Sequence, residues 1–325
     1  ERRREYWNKK TKPHKLKYLV TGGAGFIGSN IVEELIKRGE NVRVLDNFST
    51  GKRENLKEFQ KQIEIVEGDI RSYHIVQEAV KGIDVVLHQA ALPSVPRSIK
   101  DPITTNEVNI GGTLNMLDAA VKEGIKRFVF ASSSSVYGDN PELPKHEGMT
   151  PSPLSPYAVS KLAGENYCRV FSNLYGIETV CLRYFNVFGP RQDPNSQYSA
   201  VIPKFIKAIM NGESPVIYGD GTQSRDFTYV ANVVEANMLA AVKPITTKSI
   251  TLNCACNEQI TLNNLVESIN RIAGTEIEPV YAEKRKGEVQ HSFARIAEAK
   301  KIFDYEPIVE FKNGLEKIFN YFNVL

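Results

Sequence analysis

"YLVTGGAGFIGSN" (residues 18–30) decides the fold. An apolar run breaks into a glycine cluster, and the pattern then turns to helical spacing. Gly22, Gly25 and Gly28 fall between the strand and the helix, near the chain start. Glycine permits a tight turn and a close approach of the backbone to a pyrophosphate, and the helix N-terminus then offers free N–H groups to the anion. A plain tight turn is the bland alternative. Eighteen residues after Gly28, Asp46 ends a second apolar run, where a carboxylate can take both adenosine ribose hydroxyls and repel a 2′-phosphate. The spacing therefore favours NAD over NADP, with Asp46 as a simple strand-end cap the competing reading.

The rhythm continues outward from that loop. Strands are predicted at 17–21, 42–46, 63–69, 84–90, 127–133 and 178–185, and helices over 26–38, about 101–123, and 156–174. Such alternation predicts an α/β protein with a Rossmann-type doubly wound parallel sheet. Asp69 is read as ending the third strand, on the adenine side. After Phe188 the pattern is mixed, which suggests a smaller mixed α/β substrate-binding lobe. The division read is a basic arm at 1–14, the dinucleotide-binding domain at 15–188, and the second lobe at 189–228 and 257–325. The helix near 229–242 and the strand at 250–255 are read as a return to the main sheet, within 229–256.

Composition narrows the function classes. The 325 residues are 42% hydrophobic and 24% charged, ordinary for a globular protein. No apolar run approaches the roughly 18 residues that cross a bilayer, and no secretory signal is read. The chain opens on Glu1 rather than Met, so its natural start is expected upstream. The net charge of +3 misleads, because residues 1–17 carry eight Lys and Arg against two Glu. The rest is slightly acidic, so the basic end is read as a solvated or partner-packed arm, and no nucleic-acid or membrane partner is expected. Cys168, Cys181, Cys254 and Cys256 form no zinc pattern or disulfide framework. Cys254 and Cys256 alternate in "ITLNCAC" and are read on one strand face. Reduced thiols fit a cytoplasmic protein. His14, His74, His88, His146 and His291 show no metal spacing, so no metal is expected.

"SPYAVSK" (155–161) sets Tyr157 and Lys161 on one helix face. Ser155 can cap that helix and Pro156 suits its first turn. "ASSSSVYG" (131–138) ends a predicted strand with a run of hydroxyls, at the edge where such sheets bind ligands. Tyr6–Lys10 has the same spacing without that context. A tyrosine base must titrate about three units below its free value of roughly 10, which takes about 4 kcal/mol. Lys161 supplies one positive charge for this, and an oxidised nicotinamide would supply another.

With these segments in view, the chain resembles the extended short-chain dehydrogenase/reductases, and within them the UDP-hexose 4-epimerases that act on N-acetylated sugars. The resemblance covers 15–325. It rests on "TGGAGFIGS", "LDNFSTG", "GDIR", "HQAALPSVPRSI", "ASSSSVYG", "SPYAVSK", "LRYFNVFGPRQDP", "AVIPKF", "GDGTQSRDF" and "RKGEVQHS". It implies a catalytic Ser133, Tyr157 and Lys161, with Ser134 and Ser135 beside them. It implies NAD on Gly22, Gly25, Phe26, Ile27 and Gly28, on Asp46, Asn47, Thr50 and Gly51, and on Asp69 and Ile70. Ala90, Ala91, Tyr157, Lys161 and Tyr184 complete that set. For the UDP-sugar it implies Ser94, Ser133, Ser134 and Asn186, then Ala200, Val201 and Tyr218. Arg225 and Arg285 would grip the diphosphate, as forked donors suit, with Glu288 and Ser292 nearby.

The implied reaction is NAD-dependent 4-epimerisation. Tyr157 takes the 4-hydroxyl proton while carbon 4 gives up a hydride, and the 4-keto sugar then receives it on the other face. Sugar 4,6-dehydratases carry acids where this chain has Ser134 and Ser135, so dehydration is disfavoured. UDP-glucuronate 4-epimerases usually have Thr in place of Asn186. The remaining alternatives are a net nucleotide-sugar oxidoreductase and a non-catalytic sensor. Pro93 departs from the Gly common in close relatives, and Glu288 from their Asp. The resemblance also implies a homodimer through helices near 101–123 and 157–175.

Overall fold

The computed structural model describes residues 15–193, 200–284 and 289–324. In the first half, β1 (Lys17–Thr21) leads to α1 (Phe26–Lys37), β2 (Asn41–Asp46) and β3 (Ile63–Glu67). Next come α2 (Tyr73–Val80), β4 (Val85–His88), α3 (Val95–Lys100) and α4 (Pro102–Asn106). A π turn (Glu107–Gly111) joins α4 to α5 (Gly112–Glu123), followed by β5 (Arg127–Ser133), α6 (Pro156–Tyr175) and β6 (Glu178–Tyr184). The second half holds β7 (Val187–Phe188), α7 (Val201–Met210), β8 (Val216–Tyr218), β9 (Ser224–Arg225) and β10 (Thr228–Tyr229). Then follow α8 (Val230–Val242), β11 (Ser249–Cys254), β12 (Ile260–Thr261), α9 (Leu262–Ala273) and β13 (Val280–Ala282). β14 (His291–Ser292), α10 (Ala297–Phe303) and α11 (Phe311–Val324) complete the described chain.

Seven parallel strands form the main sheet in the order β11-β6-β5-β4-β1-β2-β3. The order reverses beside β1, which opens a crevice at the carboxyl ends of β1 and β4. Strand residues alternate between two cores. Tyr18, Val20, Val129 and Ala131 face the layer that contains α1 and α8. Leu19, Phe128 and Phe130 face the layer built from α2, α5 and α6. Burial on both faces explains why these strands read as unbroken apolar runs. Truncating one such side chain, Leu19→Ala, costs about 2–5 kcal/mol, from lost transfer energy and the cavity left behind.

Local chemistry sets the helix ends. Ser155 accepts the Ala158 N–H, Pro156 occupies the first turn, and Gly176 closes α6 in the left-handed region at φ 79°. β11 returns to the sheet beside β6, with Ser249 opposite Thr179 and Cys254 opposite Tyr184.

The structure departs from the sequence reading in four places. The single helix expected over 101–123 is α4 and α5 with the π turn between them, one residue wider per turn. β3 ends at Glu67, so Asp69 lies two residues beyond it. β4 ends at His88: Gln89 still donates its N–H to the Thr21 carbonyl, but Ala90 turns its N–H to the Thr21 hydroxyl at 3.1 Å. Finally, β11 stops at Cys254, so Cys256 is not on its face. Cys256 instead donates its N–H to the Asp226 carboxylate at 2.8 Å.

Candidate active site

The glycine loop is a cradle that side chains would fill. A Cβ on Gly28 would lie 2.1 Å from the Gly22 carbonyl oxygen. Gly22 sits at φ 67°, and a Cβ there would approach the Ala90 nitrogen to 2.8 Å. The first turn of α1 therefore meets an open cavity of about 750 Å³ that runs along the carboxyl ends of β1, β2, β4 and β5. Gly22, Gly25, Phe26, Ile27 and Gly28 line one wall.

Asp46, Asn47 and Thr50 line the end of the cavity beyond β2, with Asp69 and Ile70 beside them. Asp46 is a strand-end cap: one carboxylate oxygen takes the Ala24 N–H at 2.9 Å and the other takes Phe48 N–H at 2.8 Å. Each oxygen retains a lone pair for a ribose hydroxyl, so the two sequence readings are compatible. Burial raises its carboxyl above the usual range, and the two N–H bonds oppose that. Asp69 is gripped by Arg71 at 2.8 and 3.0 Å and by Asn47 at 2.8 Å, which holds its carboxyl down at about 2. Gly51 packs against Ala24 and the Asp46 carboxylate rather than lining the cavity.

At the other end the cavity reaches Ala90, Ala91, Ser94, Tyr157, Lys161 and Tyr184. Tyr184 receives a hydrogen bond from Asn237 at 2.8 Å and donates to Gln89 at 3.0 Å. Lys161 is buried and donates to the Ala131 carbonyl at 2.7 Å. Its ammonium lies 5.8 Å from the Tyr157 ring centre. Burial pulls the Lys161 ammonium down to about 8. Burial also pushes the Tyr157 phenol up, while a hydrogen bond with the Ser133 hydroxyl draws it down. A phenol, a hydroxyl and a cation thus meet at this end of the cavity.

The remaining substrate candidates are split. Ser94 and Ala200 line the main cavity. Tyr218 lines a second one of about 240 Å³ with Gly219, Asp220, Gln223, Lys284 and Gln290. Arg225 and Ser292 line neither cavity; they stand in register on the parallel strands β9 and β14, 67 residues apart in sequence. Asn186 follows β6 in the left-handed region at φ 34°, which Asn tolerates better than most residues. Ser134 lies in a one-turn helix after β5, and Val201 opens α7 behind Ala200. Arg285 and Glu288 lie outside the described residues, as does the basic arm.

Several lining residues escaped the sequence reading. Lys52 and Gln192 reach the main cavity from loops, Asn55 from a short 3-10 helix (Arg53–Phe59) and Arg97 from α3, and only their position beyond a strand end could have marked them. His88 is a structural group between the Thr21 and Thr113 hydroxyls at 2.7 and 3.0 Å, and burial keeps it neutral, at about 3. Among the described residues, no group of three or more His, Cys, Asp or Glu could hold a metal ion. No described helix is long and apolar enough to cross a membrane.

A doubly wound sheet, a glycine cradle with an acid after β2, and a Tyr–Lys pair at the crevice define an NAD-dependent enzyme of the extended short-chain type. The chain belongs to the NAD dependent epimerase/dehydratase family, whose sequence profile matches residues 18–255. The UDP-N-acetylglucosamine 4-epimerase of Methanobrevibacter ruminantium, solved with UDP-N-acetylmuramic acid, is 42% identical. It covers 95% of this chain and 99% of its own, with a TM-score of 0.91. The UDP-glucose 4-epimerase of Thermotoga maritima, solved with UDP-glucose, is 37% identical over the same shares, with a TM-score of 0.90. The UDP-glucose 4-epimerase of Thermus thermophilus, solved with NAD, is also 37% identical over 95% and 99%, with a TM-score of 0.86. NAD is the cofactor of this family, and the cradle described above fits it.

Proposed function

We propose that this protein is a UDP-hexose 4-epimerase that accepts the N-acetylated sugars UDP-N-acetylglucosamine and UDP-N-acetylgalactosamine. UDP-sugar 4-epimerisation with NAD is the chemistry that the family and its solved relatives support. Bound NAD supplies a site that takes up a hydride and gives it back. Tyr157 removes the proton of the sugar 4-hydroxyl and later returns one. Lys161 stabilises the phenolate from the same helix face, and Ser133 hydrogen-bonds the reacting oxygen and Tyr157 alike. Asn186 orients the sugar, and Arg225 with Arg285 holds the diphosphate.

The choice of sugar rests on one observation, the register of Ser292 with Arg225. If Arg225 holds the diphosphate, Ser292 faces the neighbouring sugar with a small side chain and leaves room for an acyl group. Ser94 supports the same reading. It caps α3 in the left-handed region at φ 95°, where its oxygen accepts the Arg97 N–H at 3.4 Å. Its hydroxyl proton remains available to an amide carbonyl. A second reading comes from Arg97, which lines the cavity beside Ser94 and would suit the carboxylate of UDP-glucuronate.

Incubation of the purified protein with UDP-N-acetylglucosamine, UDP-glucose and UDP-glucuronate separately, followed by NMR of the products, tests both. The 4-epimer of the acetylated sugar is the expected product. Conversion of UDP-glucuronate alone would select the second reading.

A further inference from the structure

The four-residue spacing that joins Tyr157 to Lys161 continues one step, to Glu165. These three side chains descend one face of α6. Three consecutive residues of β5 receive them. Ser133 hydrogen-bonds Tyr157, the Ala131 carbonyl takes Lys161 at 2.7 Å, and the Ser132 hydroxyl donates to Glu165 at 2.5 Å. The reaction proposed above uses the first two contacts and leaves the third without a role.

Glu165 and Arg183 are both buried. Arg183 Nε donates to Glu165 Oε1 at 2.8 Å, and its Nη2 donates to Oε2 at 2.7 Å. A two-pronged pair of this kind fixes the plane of the carboxylate as well as its distance. Arg183 stands opposite Ser132 on β6, one residue from the Ser133–Tyr184 pair. Its guanidinium lies 4.6 Å from the Tyr137 ring centre, and the Tyr137 hydroxyl donates to Asn253 at 2.7 Å. The clamp is therefore anchored on two neighbouring strands and on the turn that follows Ser133.

Burying two charges costs solvation that packed apolar residues would avoid, so such a pair is weak evidence of stability in itself. Its geometry is the better explanation. We propose that Glu165 and Arg183 are positioning residues that register helix α6 on strand β5 and so set the Tyr157 and Lys161 geometry relative to Ser133. The inference rests on the assignment of Tyr157 as the base. A misplacement of about 1 Å in a catalytic group can cost about 10²-fold in rate.

The test replaces the pair together, Glu165→Met with Arg183→Met, so that no lone charge is left buried. The holoenzyme should fold and retain NAD, with KM within about threefold and kcat lowered about tenfold or more. The acid limb of its kcat/KM profile should move to higher pH, since a base less well aligned with Lys161 ionises later. Loss of packing alone would not move that limb. Parent kcat with an unmoved limb overturns the proposal. Should the double variant fail to fold, Ser132→Ala decides, because it breaks the third contact without touching a charge. Parent kcat and an unmoved limb there also overturn it. Tyr157 ionisation, read as the ultraviolet difference between each protein and its Tyr157→Phe counterpart, needs no substrate. A parent inert toward every UDP-hexose therefore counts against the functional reading alone. An unchanged Tyr157 titration counts against the clamp.

Discussion

The Lys161 ammonium is held by the Ala131 carbonyl at 2.7 Å, not by a carboxylate. A carbonyl fixes the group in place but leaves its charge uncompensated. That charge can then act on a phenolate at Tyr157, whose ring centre is 5.8 Å away. The arrangement carries a cost. With no anion beside it among the described residues, burial draws Lys161 down to about 8. Ionising Tyr157 and charging Lys161 therefore favour one another, since each supplies the counter-charge that burial denies the other.

Stability of the cofactor-free protein should report this cost. Lys161 titrates at about 8 when folded, against an ordinary value of 10.5. Between these values the unfolded chain binds the extra proton, so this residue's contribution to stability rises with pH across the window. It is fully present above 10.5 and is lost as pH falls through 8. Denaturant unfolding of the parent and of Lys161→Met, across about pH 7 to 10, checks this. The parent should gain on the variant as pH rises, and parallel curves would show that Lys161 is not desolvated.

Tyr157→Phe removes the phenol and keeps the ring. Loss of a general base costs about 10²–10⁴ in rate. A fall of that size is expected, with NAD and UDP affinity retained, because the glycine cradle and Arg225 are unaltered. Progress curves with UDP-N-acetylglucosamine measure the rate. Activity within about twofold of the parent would assign the proton to another group.

Much of this fold was legible because its information is local. β5 matches its sequence reading from Arg127 to Ser133, and α6 extends it by one residue, since the Ser155 cap and Gly176 stop lie in the chain itself. The π turn was not legible. Its Asn109 is held by contacts distant in sequence, accepting the Leu92 N–H at 2.8 Å and donating to Ser160 at 3.0 Å. The same holds for Arg225 and Ser292, which only strand pairing brings together. Glu165 carried a local signal, the repeat of four after Lys161. Its partner Arg183, eighteen residues on, carried none.

NAD should leave only when the protein unfolds, because a closed hydride cycle needs no exchange. The Asp46 carboxylate, held by the Ala24 and Phe48 N–H groups, would face a 2′-phosphate with like charge. Denaturing the purified protein should release near-stoichiometric NAD and no NADP, by chromatography of the supernatant. Recovery of NADP would overturn the ribose assignment of Asp46.

Ser292→Tyr tests the sugar pocket. Ser292 is half-buried on β14, in register with Arg225 on β9. A ring at that point would occupy the volume proposed for the N-acetyl group as the keto sugar turns. Overpacking a confined site typically costs about 1–3 kcal/mol, or roughly 5- to 150-fold in affinity. The variant should lose the acetylated sugars by a factor in that range or more, while UDP-glucose and UDP-galactose still fit. The ratio of kcat/KM for the two sugar classes, measured by NMR on both proteins, isolates the effect from any general loss. If Ser292→Tyr turns over UDP-N-acetylglucosamine as well as the parent does, Ser292 is not the gate and this reading of the pocket is wrong.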